Sequence, residues 1–301
     1  MKKILVLGGS GLVGSRFIEL HKDKFKIDAP DKSEIDILDK DQLKKALEIS
    51  KVGVVINFAA FTDVQGAETQ KGDRNGSCYQ INVIGAKNVA DVCKDTNTNL
   101  IHISTDYVFD GEKSEAPYTE QDQPNPKNWY GQTKYLGERS VWESGANFTI
   151  VRISMPFSSH YDLKIDIARF FLKTLKDNLE IKAITDQKVT PVLVDDCANA
   201  LYNIIEKKAS GLYHVVASSW TTPFNFAVMI AQAFSLDTSL VKPISLKDYN
   251  KDKLVPPLKY SWLDPSKFVS EFGLGILHTA EESVKLFKQT VDPDIRYRRG
   301  L

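Results

Sequence analysis

The sequence has few cysteines, no charge of one dominant sign and no long apolar run. Its three cysteines, Cys78, Cys93 and Cys197, lie far apart with no metal-ligand spacing. A sparse, odd count excludes a disulfide scaffold, fits a reducing compartment and leaves buried packing as the expected role of each; no metal is expected. Acidic and basic residues number 39 each, so no overall field favours nucleic acid or an anionic membrane as a partner. The late cluster Arg296, Arg298, Arg299 reads as a solvated tail. No segment approaches membrane-spanning length, and Met1-Lys2-Lys3 runs into an apolar stretch, Ile4 to Leu7, too short for a signal sequence. The expected location is cytoplasmic. No repeat or low-complexity tract divides the 301 residues, and a hydrophobic content of 42% is ordinary for a folded chain of one large domain or two unequal ones.

What the sequence does have begins at residue 4. Ile4 to Leu7 reads as a buried strand, and Gly8-Gly9-Ser10-Gly11-Leu12-Val13-Gly14 opens at once into the helical pattern Phe17, Ile18, Leu20. Gly8 permits a sharp turn, Gly11 lets backbone approach a pyrophosphate, and Gly14 allows helix to pack closely on strand, with the helix amino terminus facing the negative charge. The spacing is Gly-x-x-Gly-x-x-Gly rather than Gly-x-Gly-x-x-Gly, and its place after the first strand points to dinucleotide binding. A second strand over Phe25 to Ala29 puts Asp28 where an acid would meet a ribose hydroxyl and repel a phosphate, a lean toward NAD. An ordinary exposed strand end is the alternative for Asp28.

Asp39 reads as the N-cap of a helix over Lys40 to Ile49. Val52 to Phe58 is another apolar strand whose end, Ala59-Ala60-Phe61-Thr62, places small residues where a bulky side chain would block a dinucleotide. Residues 68–76 read as a loop, followed by a helix from Cys78 to Lys94. Within it Asn82 is either a buried bridge to backbone or a plain polar residue.

The strand Leu100 to Ile103 ends in Ser104-Thr105-Asp106, at the sheet edge where open α/β folds bind ligands. Tyr130 and Lys134 stand four apart in a helical segment and share a face. An ammonium beside a phenol favours the phenolate and is expected to lower the tyrosine pKa toward working pH, suiting Tyr130 to protonate a carbonyl as hydride arrives. Thr105 would add a hydrogen bond to that oxygen, and Lys134 would hold cofactor ribose hydroxyls. Tyr249 and Lys253 repeat the spacing just before Pro256-Pro257, where no strand-end site is in prospect, and serve as an internal control.

Beyond the strand Phe148 to Ile153 the alternation loosens. A helix over Ile165 to Lys176, Val192-Leu193-Val194 leading into a helix from Asp196 to Lys207, a strand Leu212 to Val216, and helices Pro223 to Phe234 and Thr279 to Lys288 read as a smaller lobe. The expected fold is therefore α/β: a Rossmann-type doubly wound parallel sheet over residues 1–155 and a smaller mixed α/β substrate lobe over residues 156–301, the two interleaved.

The chain resembles the dTDP-4-dehydrorhamnose reductase family, extended short-chain dehydrogenase/reductases acting on nucleotide sugars. The resemblance rests on Asn57-Phe58-Ala59-Ala60-Phe61-Thr62 with Ala67-Glu68, Ser104 through Gly111, Pro117-Tyr118-Thr119-Glu120, and Tyr130-Gly131-Gln132-Thr133-Lys134 with Gly137-Glu138. It implies a catalytic triad of Thr105, Tyr130 and Lys134. It implies cofactor contacts at Gly8, Gly11, Leu12, Val13, Gly14, Asp36, Ile37, Ala59, Ala60, Phe61, Tyr130 and Lys134, and sugar contacts at Thr105, Asp106 and residue 155. The implied reaction is hydride transfer from NADPH or NADH to the C4 ketone of dTDP-4-dehydro-6-deoxy-L-mannose, giving dTDP-L-rhamnose; a homodimer is open on the resemblance alone.

The sequence departs from that family at three places. Met155 stands where a tryptophan meets the sugar and offers a softer, unaromatic wall. Pro256-Pro257-Leu258-Lys259 replaces an Arg-Pro that would pair with phosphate, with Lys259 as a substitute cation. Gln65 stands where an acid is usual, ahead of a longer loop. A 4,6-dehydratase would need a Thr-Asp-Glu run, and here Tyr107 follows Asp106. A 4-epimerase or another nucleotide-sugar reductase needs only the triad. A non-catalytic dinucleotide-binding subunit, like the regulatory subunit of methionine adenosyltransferase, is the rival of another class.

Overall fold

The computed structural model describes residues 1–161, 163–251 and 253–291; the Arg296, Arg298, Arg299 cluster lies outside them. Strands β1 (Lys3–Leu7), β2 (Lys26–Asp28), β3 (Val54–Asn57), β4 (Asn99–Thr105), β5 (Phe148–Ile153) and β8 (Gly211–His214) form one sheet in the order β2-β1-β3-β4-β5-β8, every pair parallel. The inner strands are apolar on both faces because helices cover both. On one side α1 (Leu12–His21) and α8 (Val194–Lys207) bury Phe17, Leu201 and Ile204 against Ile4, Val6 and Ile56. On the other, α2 (Lys40–Ser50) and α5 (Ala86–Asp95) bury Leu43, Val89 and Val92 against Leu5, Leu7 and Val55, joined by Val141 of α6 (Trp129–Glu143). The chain leaves β1 toward β2, then returns to lay β3 on the opposite side. The carboxyl ends of β1 and β3 therefore flank the topological switch point where such sheets bind ligands.

Asp39 caps α2 as expected, accepting from the Gln42 N–H. The helix expected over residues 78–94 is helical throughout but not uniform: α4 (Ser77–Tyr79) runs through a π-turn, Gln80–Gly85, into α5. The wider turn coincides with two tertiary demands. Gly85 lies against the Ile37 side chain with no room for a Cβ, and Asn82 is drawn toward the loop after β3. That loop contains the short helix α3 (Val64–Glu68).

The second lobe pairs β6 (Ile181–Ile184) with β9 (Val241–Ile244) under α7 (Ile167–Lys176), α9 (Pro223–Ala233) and α12 (Ala280–Thr290). Phe157, Phe171, Phe226 and Phe287 fill its core. A capping box between Thr279 and Glu282 starts α12. A small parallel pair, β7 (Lys188–Val189) with β10 (Tyr260–Ser261), joins this lobe to the sheet edge, and α10 (Leu246–Tyr249) and α11 (Ser266–Phe272) flank it in sequence. One assignment from sequence is corrected here. The helix read over 196–207 and the strand read over 212–216 as part of the smaller lobe correspond to α8 and β8, which belong to the covering layer and the edge of the large sheet, so the two lobes interleave beyond residue 155 as expected.

Candidate active site

The turn after β1 has the shape its glycines suggest. Gly8 sits at φ +75°, a left-handed conformation costly for any residue with a Cβ. A Cβ there would also come within 2.6 Å of the Ala59 nitrogen, so the turn and the end of β3 touch backbone to backbone. A Cβ on Gly14 would meet the Gly8 carbonyl at 2.8 Å and the Phe58 ring at 3.2 Å, which is the close helix-to-strand packing expected. Gly11 is the N-cap of α1 and gives it no side-chain cap. The N–H groups of Leu12, Val13 and Gly14 therefore open the helix with no side chain claiming them, a ready anion cradle. The small side chains of Ala59 and Ala60 line the facing strand end, half-buried, with Phe61 beyond. Asp36 folds its carboxylate onto its own turn, accepting from the Leu38 N–H, and Ile37 is buried beside it. Backbone cradle, missing Cβ atoms and unclaimed helix start together fit a dinucleotide.

At the end of β4 the chain turns through Asp106–Val108, and α6 lies across it. The helix can approach because of two glycines: a Cβ on Gly131 would collide with the Tyr107 carbonyl, and one on Gly137 with that of Asn82. Asn128 caps the helix, accepting from the Gly131 N–H at 2.8 Å. Tyr130 and Lys134 are carried inward and are 8% and 3% exposed. Lys134 donates from Nζ to the Ile103 carbonyl at 2.7 Å, fixing its ammonium under the strand end. The Thr105 hydroxyl acts on the Tyr130 phenol, partly opposing the effect of burial on it, so the three residues singled out from sequence lie at one strand end.

The electrostatics differ from the expectation. Burial pushes the Tyr130 phenol well above its ordinary pKa, and burial also pulls Lys134 down to about 8, with Glu138 and Cys78 holding it partly up. Desolvation is the largest influence on both groups. Tyr130 is thus a protonated phenol at neutral pH, the form a proton donor needs, and not the incipient phenolate the spacing suggested. Beneath Lys134, burial and then the lysine's charge keep His102 neutral.

Asp106, expected against the sugar, has its carboxylate claimed by hydroxyls. Thr105 donates to it at 2.8 Å and Ser154 at 3.0 Å, and Ser261 donates through a short bond. Burial raises its pKa against these bonds. The three hydroxyls come from the ends of β4 and β5 and from β10, so Asp106 knits the two lobes together. Thr105 has one hydroxyl proton, and it is directed at Asp106.

Two buried networks not apparent from sequence brace the edge. Asn82 proves to be a bridge: its side chain accepts from the Phe61 N–H at 2.8 Å, and donates to the Phe61 carbonyl at 3.2 Å and to Thr133 at 3.0 Å. It ties the cofactor-side loop to α6. Cys78 packs against the same Thr133 hydroxyl at 3.2 Å, and all three cysteines are buried thiols. One turn beyond Lys134, Glu138 grips Arg152 through two bonds of 2.9 and 2.7 Å, both residues nearly inaccessible.

On the substrate side Met155 is half-buried and left-handed, at φ +41°. Tyr107 stands edge-on to Tyr130, ring centroids 5.7 Å apart. Burial raises its phenol pKa, with smaller contributions from Asp106, Tyr130 and Tyr249. Lys253 lies 5.3 Å from the Tyr249 ring, outside α10, so this pair is a loop contact and not two residues on one helix face. Lys259 stacks over Tyr260 at 5.5 Å. Pro256 is exposed in the connection to β10.

The chain is similar to known proteins over most of its length. The dTDP-4-dehydrorhamnose reductase of Aggregatibacter actinomycetemcomitans is 31% identical over 287 residues, 91% of this chain and 94% of that one. A probable low-salt glycan biosynthesis reductase of Haloferax volcanii is 29% identical over 282 residues, 89% and 91% of the two chains. The crystal structure of dTDP-4-dehydrorhamnose reductase from Bacillus anthracis in complex with NADP is 29% identical and superimposes with a TM-score of 0.86 over 95% of this chain and 99% of that one. The model of the family described as the RmlD substrate binding domain matches residues 1–291, across both lobes and the edge between them, and the chain belongs to that family.

Proposed function

We propose that the protein is an NAD(P)H-dependent oxidoreductase that reduces the C4 ketone of a dTDP-4-dehydro-6-deoxy sugar, converting dTDP-4-dehydrorhamnose to dTDP-L-rhamnose. The observation that carries this reading is the burial of a protonated Tyr130 at the end of β4, beside an anchored Lys134 and a Thr105 oriented by Asp106. When bound, the dinucleotide supplies hydride. Gly8, Gly11 and the N–H groups of Leu12, Val13 and Gly14 would hold its pyrophosphate, and Ala59, Ala60 and Phe61 would line its other side, with Asp36 and Ile37 near its adenosine. Lys134 has two protons beyond the one given to Ile103 and can hold ribose hydroxyls. The B. anthracis relative's NADP makes NADPH the first cofactor to try.

The residues of this chain divide the remaining work. Tyr130 delivers its phenolic proton to the ketone oxygen as the carbon is reduced, and the nearby Lys134 ammonium stabilises the phenolate left behind. Asp106 acts through Thr105, fixing the hydroxyl that sits beside the donor. Met155 and the residues after Pro256 border the sugar. The buried, neutral cysteines support the expected cytoplasmic setting.

A non-catalytic subunit has less support, since such a role gives no reason to bury a lysine at a cost to its own charge. The test is oxidation of NADPH or NADH on addition of dTDP-4-dehydro-6-deoxy-L-mannose, with the product sugar identified. Formation of dTDP-L-rhamnose is the expected result; cofactor binding without turnover of this or related ketosugars would refute the reading.

A further inference from the structure

Strand β3 ends in a turn made by its own last residue. The Phe58 N–H still pairs with the Leu7 carbonyl of β1 at 2.9 Å. The next N–H, that of Ala59, instead donates to the Asn57 side-chain oxygen at 3.1 Å, an Asx turn that brings Ala59 against the glycine turn after β1. A Cβ on Gly8 would come within 2.6 Å of that same Ala59 nitrogen, so the two backbones touch and the place of one sets the place of the other. The far end of the Asn57 amide faces β4. Asn57 and His102 are register partners on the parallel pair β3 and β4, each is 1% exposed, and Asn57 Nδ2 lies 3.3 Å from His102 Nδ1.

These contacts leave the imidazole one form. The Ala59 N–H takes the amide oxygen, so the amide turns its own N–H toward His102. That N–H needs an acceptor, so Nδ1 is bare and the ring proton is on Nε2. A charged imidazole has no bare nitrogen to offer, and burial, followed by the Lys134 ammonium, keeps this ring neutral. Nε2 itself has no partner among the described residues, and an unmet buried donor is costly. An apolar side chain would avoid that cost; what it could not supply is the acceptor for Asn57. We propose that His102 is a positioning residue for dinucleotide binding: its Nδ1 holds the Asn57 amide, and Asn57 holds Ala59 against the Gly8 turn. The inference rests on the reading in which the dinucleotide lies between the glycine turn and the end of β3. His102 is buried within the sheet and works through Asn57.

The test compares wild type, His102→Leu, His102→Gln, Asn57→Ala and the double variant Asn57→Ala/His102→Leu. Fluorescence titration reads the Kd for NADPH or NADH, whichever binds more tightly, and urea unfolding shows that each protein is folded. His102→Leu should raise Kd about fivefold, the worth of one hydrogen bond. His102→Gln, whose amide oxygen can accept from Asn57, should stay within about twofold of wild type. Asn57→Ala should weaken binding at least as much as His102→Leu, and adding His102→Leu to it should change Kd by less than about twofold, because the contact is already lost. Nitrogen NMR of the wild-type imidazole should show the proton on Nε2 and a bare Nδ1 at neutral pH, a result that needs no variant to fold. A wild-type Kd in His102→Leu, equal losses in the two His102 variants, or a proton on Nδ1 would each overturn the proposal. If the wild type binds neither dinucleotide, the cofactor reading fails and the proposal with it. Binding without turnover of a ketosugar refutes the reductase reading alone and leaves the Kd comparison decisive.

Discussion

The chain contains the same four-residue spacing twice, at Tyr130/Lys134 and at Tyr249/Lys253, and its folding makes them opposites. The first pair sits on a helix of 15 residues, capped by Asn128 and drawn onto the sheet by Gly131 and Gly137, with both side chains buried. The second straddles the end of a four-residue helix, its lysine lying over the tyrosine ring near the surface. Spacing decides which side chains can meet, and the surroundings decide what the meeting does. Burial keeps Tyr130 protonated and softens Lys134 toward neutrality; the contact of Lys253 with the Tyr249 ring, at the surface, is worth at most about 0.5–1 kcal/mol.

The largest expected effect that would break this contrast is at Tyr130. Tyr130→Phe should lower kcat about 10²–10⁴-fold, the usual contribution of a positioned general acid, with NADPH affinity nearly unchanged. Stopped-flow turnover and cofactor titration on the same sample check both halves. Next comes the support behind Lys134: Glu138→Ala leaves the Arg152 guanidinium buried and unpaired and should cost about 3–5 kcal/mol of stability, read by urea unfolding. The pH dependence is a smaller effect. Lys134 loses its proton as pH rises through about 8, and the charged form is the one that supports a phenolate, so kcat should fall on an alkaline limb near pH 8. A limb displaced to the ordinary lysine range would show that burial does not govern this residue. Smallest is Lys253→Ala, expected to change stability by no more than about 1 kcal/mol and kcat by less than about twofold.

The sequence made local features legible and non-local ones not. The glycine turn, the Ser-Thr-Asp strand end, the α6 pair and the N-cap at Asp39 each depend on residues a few positions apart, and all are where the pattern put them. The sixth strand was read at nearly the right place but assigned to the wrong lobe, because nothing in Leu212 to Val216 tells which strand it will pair with. Asn82 stayed ambiguous for the same reason, since its partners Phe61 and Thr133 are distant in sequence. The tyrosine pKa was expected to move the wrong way because spacing reveals a charged neighbour but not the depth of burial, and here burial dominates. The Ser154 and Ser261 hydroxyls that meet Asp106 are likewise distant in sequence. The pairing of Gln65 with Val255, across 190 positions, is invisible to pattern for the same reason.

The account stands on Tyr130 donating a proton from a site that binds the dinucleotide independently of it. The most direct measurement is single-turnover oxidation of NADPH with dTDP-4-dehydro-6-deoxy-L-mannose by wild type and Tyr130→Phe side by side, each saturated with cofactor as shown by titration. The expected result is formation of dTDP-L-rhamnose by the wild type and the same cofactor affinity with turnover slowed at least about 10²-fold in the variant. Comparable rates in the two proteins would contradict the account, since the buried phenol would then have no part in the reaction.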